Sequence, residues 1–151
     1  MKLDSRGYCA VGLVNPKSEV NMGSALRACG VYGAAMMAVE GMRFKRCATD
    51  TMKAWRHLPV IEVQDIFSSV PFDCVPVAIE LVNSARSLVG YTHPERAFYI
   101  FGPEDSSLGK KTLERCRDVV YVPTNGCMNL AACVNVVLYD RMAKALRKNG
   151  P

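Results

Sequence analysis

The stretch YCAVGLVNPKSEVNMGSALRACGVYGAAMMAV, residues 8–39, is the part of the chain that decides the fold class. It opens with the apolar run Tyr8 to Val14, which ends at Asn15-Pro16 and is typical of a buried strand. Residues Gly23 to Val31 then carry a helical pattern, and Ala35–Val39 form a second apolar run. A strand, a helix and a second strand in this order predict a βαβ unit.

The same alternation of apolar runs and helical stretches continues along the chain. Further strands are predicted at Pro59–Val63, Cys74–Ile79, Ala97–Phe101 and Val119–Val122, and short helices at Thr49–Trp55, Gln64–Ser68 and Leu108–Cys116. The last helix is the clearest, because its apolar stripe follows the spacing of a core-facing helix; the stripe consists of Leu130, Cys133, Val134, Val137 and Leu138. We therefore expect an α/β fold with a mostly parallel sheet flanked by helices.

Composition places the chain among ordinary globular proteins. Its 151 residues suit one domain, and no linker divides them, so residues 1–151 are expected to form a single domain. No apolar stretch approaches the roughly 20 residues that cross a bilayer, and the N-terminus has no convincing cleavage site. We therefore expect a cytoplasmic protein that does not enter a membrane. The formal net charge of +5 would favour an anionic partner.

The cysteine content favours free thiols over a disulfide framework or a metal site. The chain holds seven cysteines, an odd number, and none of them forms a C-x-x-C pair. Only two histidines are available as further ligands, and neither lies near a cysteine in sequence. No metal site is predicted.

Three loops that follow predicted strands are the candidate functional positions, because ligands of parallel α/β sheets bind beyond the carboxyl ends of the strands. These loops are residues 15–23, 101–109 and 122–129. The fingerprints of dinucleotide-binding proteins, P-loop enzymes, serine hydrolases and zinc proteases do not occur anywhere in the chain.

Ordinary helix capping accounts for part of what these loops contain. Asn21 and Asn129 are both good N-cap candidates. Two further residues have features that helix capping does not explain. Gly102 permits close approach of a ligand to the backbone, and Glu104 places a carboxylate at the mouth of the sheet.

Taken together, the three loops resemble the SpoU/TrmH-like group of the SPOUT superfamily, whose members are S-adenosylmethionine-dependent RNA ribose 2′-O-methyltransferases. The matching residues are Asn21-x-Gly23-x-x-x-Arg27, then Phe101-Gly102-Pro103-Glu104 with Leu108-Gly109, then Val122-Pro123 with Cys127-Met128-Asn129-Leu130. The resemblance implies a trefoil knot in the C-terminal third that binds the cofactor. Without it we would predict an ordinary doubly wound sheet, since threaded connections are very rare. It also implies a homodimer with the first-motif helix and the last helix near the interface.

The resemblance also assigns roles to individual residues. Arg27 would be the catalytic arginine, Asn21 and Glu104 would shape the site, and Asn129 would position the ribose or Arg27. Cofactor contacts, made largely through the backbone, would come from Ile79, Gly102, Val122, Cys127 and Leu130. The family usually has serine at the place of Cys127, and a thiol is a poorer hydrogen-bond partner than a hydroxyl.

The chemistry leaves two roles open for Arg27. An arginine is a poor general base because its side chain donates hydrogen bonds and does not accept them. Either its surroundings activate it, or it orients the ribose hydroxyl and a substrate phosphate while the proton leaves by another route. Recognition of a 2′-hydroxyl makes RNA the expected substrate, and no DNA substrate is expected.

The short chain is similar to the small tRNA enzymes that methylate the wobble cytidine or uridine ribose, so tRNA is the expected substrate. The RNA surface would use basic residues, for which the candidates are Arg43, Lys45, Arg46, Lys53, Arg56, Lys110 and Lys111. Three alternatives stay open at this point. They are an rRNA 2′-O-methyltransferase, a catalytically inactive knotted RNA-binding or assembly factor, and a pyrimidine methyltransferase with Cys127 as nucleophile.

Overall fold

The computed structural model describes residues 7–44 and 54–150, and within them seven strands form one sheet. The strands are β1 Tyr8–Val14, β2 Met37–Glu40, β3 Val60–Val63, β4 Val75–Ile79, β5 Arg86–Ser87, β6 Arg96–Phe101 and β7 Asp118–Tyr121. They lie in the order β3-β2-β1-β6-β4-β7-β5, and every neighbouring pair is parallel. The α/β fold class is therefore confirmed. Each predicted strand is present, whereas β5, which is two residues long, has no apolar run and was not predicted.

The described helices are α1 Glu19–Tyr32, α2 Lys110–Glu114 and α3 Leu130–Asn149. Short 3₁₀ turns cover Ala54–Arg56, Ile66–Ser69 and Leu88–Gly90. Most of the predicted helix Thr49–Trp55 lies outside the described residues. The predicted helix Gln64–Ser68 is a 3₁₀ turn, and the one predicted at Leu108–Cys116 is shortened to α2.

The start of α1 corrects one expectation. Ser18, not Asn21, is the N-cap residue, and its hydroxyl oxygen accepts the backbone N–H of Asn21 at 3.3 Å. The helix thus begins one turn earlier than predicted, and Asn21 lies inside that first turn with its side chain available for other contacts. Asn129 is confirmed as the N-cap of α3, because its side-chain oxygen accepts the N–H groups of Ala131 and Ala132.

The sheet is buried on both faces, as a parallel sheet requires. Helices α1 and α3 pack together over one face, where Leu13, Tyr99 and Leu138 are almost completely buried. The other face is covered by a second cluster that includes Phe98 and Ile66. In β6, neighbouring residues point to opposite faces, which is the period of two expected for a strand. No helix in the described part of the chain is long and apolar enough to cross a membrane.

Strand register brings the three motif loops to one edge of the sheet. Phe101 lies opposite Leu13 in β1 on one side and opposite Ile79 in β4 on the other. Ile79 in turn lies opposite Val120 in β7. Strands β1, β6, β4 and β7 therefore end at the same edge, and the loops that follow them emerge side by side.

Candidate functional site

Glu104 joins the loop after β6 to the start of α1. Its carboxylate accepts the backbone N–H of Lys17 at 2.8 Å and that of Ser18 at 3.1 Å. It also accepts a hydrogen bond from the side-chain amide of Asn21 at 3.0 Å. Three donors from one helix start thus converge on one carboxylate that is 83 to 87 residues away in sequence.

Asn129 continues this network to the third motif loop. Its Nδ2 donates to the Oδ1 atom of Asn21 at 2.9 Å, while its own Oδ1 caps α3. Asn21 therefore accepts from Asn129 and donates to Glu104, so its amide has only one orientation that satisfies both partners. The result is a hydrogen-bonded chain, Asn129–Asn21–Glu104, that crosses all three motif loops. We call it the motif chain.

The motif chain keeps Glu104 ionised. Partial burial raises the pKa of the Glu104 carboxyl, but the hydrogen bonds from Lys17, Asn21 and Ser18 outweigh that effect. The net pKa lies below the usual range of a glutamate, so Glu104 is a stable anion and a weak base.

Arg27 is not part of the motif chain. It lies on the exposed side of α1, away from the core-facing Leu26 and Ala28, as the helical pattern indicates. Six residues separate it from Asn21, which in a helix means about 9 Å along the axis and a turn of about 240°. Within residues 7–44 and 54–150, the side chain of Arg27 makes no hydrogen bond or ion pair.

The residues predicted to hold the cofactor gather at the ends of three neighbouring strands. Ile79 ends β4 and is buried, Gly102 follows β6, and Val122 follows β7 and packs against the core. Leu130 is buried at the first turn of α3, whereas Cys127 is exposed in the loop before it. Apolar side chains and loop backbone therefore lie together at this end of the sheet.

Gly102 shows how closely the loops pack at this end of the sheet. A Cβ atom there would lie 3.2 Å from Leu108 Cγ, 3.3 Å from Leu108 N and 3.6 Å from Glu80 Oε2. Those contacts are tight enough that the loop would have to shift. The missing side chain therefore lets the loop fold back over the end of the sheet with its backbone accessible.

Glu80 is a residue at this end of the sheet that sequence reasoning missed. It follows β4 directly and is half-buried, and its carboxylate accepts the N–H of Leu81 at 3.1 Å and that of Leu108 at 2.9 Å. The Leu108 contact ties the loop after β6 to the end of β4. The signal that could have identified Glu80 is its position directly after the predicted strand Cys74–Ile79. Gly102 likewise directly follows a predicted strand, which ends at Phe101.

Several basic residues predicted for the RNA surface can now be placed. Arg56, Lys110 and Lys111 are exposed, whereas Lys45, Arg46 and Lys53 lie outside the described residues. Arg43 differs from the others, because its guanidinium forms a two-pronged pair with Asp105, with N–O distances of 2.7 and 3.0 Å. It therefore already has a partner within the chain.

The match to a protein family agrees with this geometry. The model of the SpoU rRNA Methylase family matches residues 8–139, which include all three motif loops. The chain belongs to this family of RNA methyltransferases. S-adenosylmethionine is the cofactor that SpoU methyltransferases use, which confirms the cofactor predicted from the motifs. No curated protein matches the sequence.

Solved structures share the fold at low sequence identity. The SpoU methyltransferase AviRb from Streptomyces viridochromogenes aligns with a TM-score of 0.82 at 17% identity, over 97% of this chain and 63% of its own. A protein described in connection with the 2-OH methylation of C/U34 on tRNA aligns with a TM-score of 0.79 at 20% identity, over 94% and 93%. The TrmH/SpoU tRNA modifying enzyme of A. aeolicus aligns with a TM-score of 0.82 at 16% identity, over 96% and 79%. The chain thus spans less than two thirds of AviRb and most of the other two.

Proposed function

We propose that this chain is an S-adenosylmethionine-dependent ribose 2′-O-methyltransferase whose substrate is tRNA, at a cytidine or uridine in the wobble position. The observation that carries the proposal is the motif chain, which holds the three motif loops together at the mouth of the sheet. The choice of tRNA is supported by the similarity to the protein associated with C/U34, because the two chains cover each other almost completely.

The surface at these strand ends suits the cofactor. Its apolar lining by Ile79, Val122 and Leu130 matches an adenine ring, and the loop backbone at Gly102 and near Cys127 offers polar groups for the ring edge and the ribose. When bound, S-adenosylmethionine supplies an electrophilic methyl group on a sulfonium. We assign these five residues to holding it.

We assign Asn21, Glu104 and Asn129 to shaping the acceptor side of the site. A ribose hydroxyl has to be held in line with the methyl group, and such positioning supplies much of the acceleration of a transfer reaction. A carboxylate offers about four acceptor sites, and three of those on Glu104 are taken by donors from the start of α1. Because its low pKa makes it a weak base, we assign Glu104 to orienting groups rather than to removing the proton.

Arg27 is the residue that we assign to the substrate. Its guanidinium is exposed and has no partner among the described residues, so its donors are available for an RNA phosphate and the ribose hydroxyl. A guanidinium donates hydrogen bonds and does not accept them, which favours orientation of the hydroxyl over removal of its proton.

The proposal includes a homodimer and a C-terminal trefoil knot within one domain of residues 1–151. Support for the dimer comes from α1 and α3, which together expose large apolar side chains. Val20 and Val31 on α1 are both 64% exposed, and Tyr139 and Leu146 on α3 are 55% and 48% exposed. Burial of these side chains against a second copy would remove them from water.

The test is transfer of label from tritiated S-adenosylmethionine to total tRNA and, separately, to rRNA, followed by nucleoside analysis. We expect a labelled 2′-O-methylcytidine or 2′-O-methyluridine from tRNA, and its loss with Arg27→Ala. Arg115→Ala is the matched control, because Arg115 is also an exposed arginine but pairs with Asp65 instead of facing substrate. Label in rRNA alone would replace the tRNA assignment. Absence of label together with absence of cofactor binding would favour a catalytically inactive RNA-binding factor.

A further inference from the structure

Arg43 connects the loops that follow three different strands. It lies after β2, and its backbone N–H donates to the carbonyl oxygen of Pro16 at 3.2 Å. Its Nε donates to the carbonyl oxygen of Asn15 at 3.1 Å, in the loop after β1. Its Nη1 and Nη2 donate to the two carboxylate oxygens of Asp105 at 3.0 and 2.7 Å, in the loop after β6.

These contacts lie beside the motif chain. Asp105 is the chain neighbour of Glu104, and the two carboxylates grip adjacent parts of the same loop. Glu104 accepts the N–H groups of Lys17 and Ser18, while Asp105 is fixed through Arg43 to the residues just before them. The loops after β1 and β6 are thus joined at two successive positions, which fixes the orientation of one loop on the other as a single contact would not.

The turn that carries Arg43 is itself interlocked with the loop after β1. The backbone N–H of Asn15 donates to Glu40 O at 2.6 Å, and Asn15 has a left-handed φ of 50°. Gly41, the residue after β2, has a φ of 66°, and a Cβ atom on it would collide with the side chain of Asn15. Glycine suits this position, because another residue would be strained at this φ and would displace the Asn15 side chain. The close fit of the two turns keeps Arg43 beside the loop after β1.

We propose that Arg43 is a positioning residue for methyl transfer, which holds Asp105 and thereby keeps Glu104 aligned on the N–H groups that start α1. The proposal rests on the proposed function. Arginine suits this task because its planar fork matches a carboxylate in two bonds and still leaves Nε for the Asn15 carbonyl. A lysine could make only one of these contacts well.

The effect of Arg43 falls on the site rather than on global stability. Arg43 and Asp105 have side chains that are 39% and 41% exposed, and exposed pairs contribute little to the free energy of unfolding. A small displacement of groups that position a reactant, in contrast, can lower a rate about 100-fold. Loss of the pair should therefore lower kcat while the melting temperature changes little.

The experiment compares four variants with the wild-type protein: Arg43→Asp, Asp105→Arg, the double variant that exchanges both charges, and Arg115→Gln. The last is a matched control, because Arg115 makes the same two-pronged contact with Asp65, at 3.0 Å for each bond, away from the motif loops. The readouts are kcat and the KM for tRNA at two salt concentrations, and deuterium exchange of the peptide that contains the Lys17 and Ser18 amides.

We expect each single variant at the Arg43–Asp105 pair to lower kcat by about 10- to 100-fold. We also expect faster deuterium exchange of the Lys17 and Ser18 backbone amides in both single variants. The double variant with swapped charges should restore much of the kcat and of the protection from deuterium exchange. The control Arg115→Gln should change neither of them.

The proposal would be overturned if Arg43→Asp raises the KM for tRNA and the double variant with swapped charges does not reverse this rise. Arg43 would then be a phosphate contact instead. Unchanged deuterium exchange in the single variants would overturn it as well. If the wild-type protein methylates no RNA, the proposed function fails. The deuterium-exchange measurement alone then decides whether Arg43 holds the loops together.

Discussion

The substitution Glu104→Gln tests the motif chain most directly. In the wild-type protein, Oε1 accepts two donors, from Ser18 and Asn21, and Oε2 accepts the N–H of Lys17. A glutamine has one acceptor oxygen and one amino group. Its oxygen best takes the place with two donors, so its NH₂ group faces the Lys17 N–H, and that hydrogen bond is replaced by two opposed donors.

The expected loss can be worked out from these contacts. Hydrogen bonds to a charged group contribute about 1.5–3 kcal/mol each, and exposure of the site reduces this, so the loss of one bond should cost about 1–2 kcal/mol. For a chain of this size each kcal/mol lowers the melting temperature by about 2–4 °C. Glu104→Gln should therefore melt a few degrees below the wild-type protein at neutral pH.

The pH dependence of stability tests the role of the Glu104 carboxylate in a second, independent way. The folded pKa of Glu104 lies below its unfolded value of about 4.3. Its stabilising contribution is therefore complete above that unfolded value and is lost as the pH falls through the folded pKa. The difference in melting temperature between the wild-type protein and Glu104→Gln should be constant from neutral pH down to about pH 5, and should shrink at more acidic pH.

Thermal unfolding followed by circular dichroism at several pH values measures both effects. Glu114→Gln is the control, because Glu114 is an exposed glutamate on α2 that forms a surface ion pair with Lys110 at 3.7 Å. It should melt within about 1 °C of the wild-type protein at every pH. A Glu104→Gln protein that behaves like this control at neutral pH would refute the hydrogen-bonding argument.

Three further experiments test the proposed roles. Cys127→Ser should keep or raise methyl transfer from tritiated S-adenosylmethionine, because a hydroxyl is the better hydrogen-bond partner, whereas the variant would be inactive if Cys127 were a nucleophile. Asn129→Asp should keep the N-cap of α3 and its melting temperature, since Asp caps as well as Asn. It should nonetheless lose activity, because a carboxylate cannot donate to Asn21; retained activity would remove Asn129 from the site. Arg27→Ala and Glu104→Gln subunits, unfolded and refolded together in equal amounts, should recover about a quarter of wild-type activity if Arg27 serves the partner's site, since half of the dimers are mixed and each has one complete site. The position of Arg27, on another face of α1 from Asn21, favours this result, and no recovery would place Arg27 in the site of its own subunit.

Sequence patterns predicted the strands well and their arrangement less well. Runs such as Tyr8–Val14 and Ala97–Phe101 are apolar because both faces of a parallel sheet are buried, so composition alone identifies them. The order of the strands depends on which runs pair across the chain. Strand β6 lies between β1 and β4, although β1 is far from both in sequence, and no local pattern contains that information.

The candidate site shows the same division. Asn21, Glu104 and Asn129 were identified by their motifs, and the structure does bring them together. The pairing of Arg43 with Asp105 was not predicted, because it joins residues 62 positions apart and neither belongs to a motif on its own. An exposed arginine looks the same in sequence whether it meets a phosphate or a carboxylate, so only the folded chain distinguishes the two.

Helix α3 links the stability of the fold to the geometry of the site. At its start Asn129 serves both as N-cap and as donor to Asn21. Near its middle, Asp140 and Arg141 anchor it to the opposite end of the sheet, where His93 bridges Tyr99 and Asp140 at 2.6 and 2.8 Å and Arg141 donates to the carbonyl oxygen of Glu95. The start and the middle of α3 are thus both held by hydrogen bonds, so α3 cannot slide along the sheet without breaking one set. Because the position of Asn129 depends on that fit, the packing of α3 sets the alignment of the motif chain.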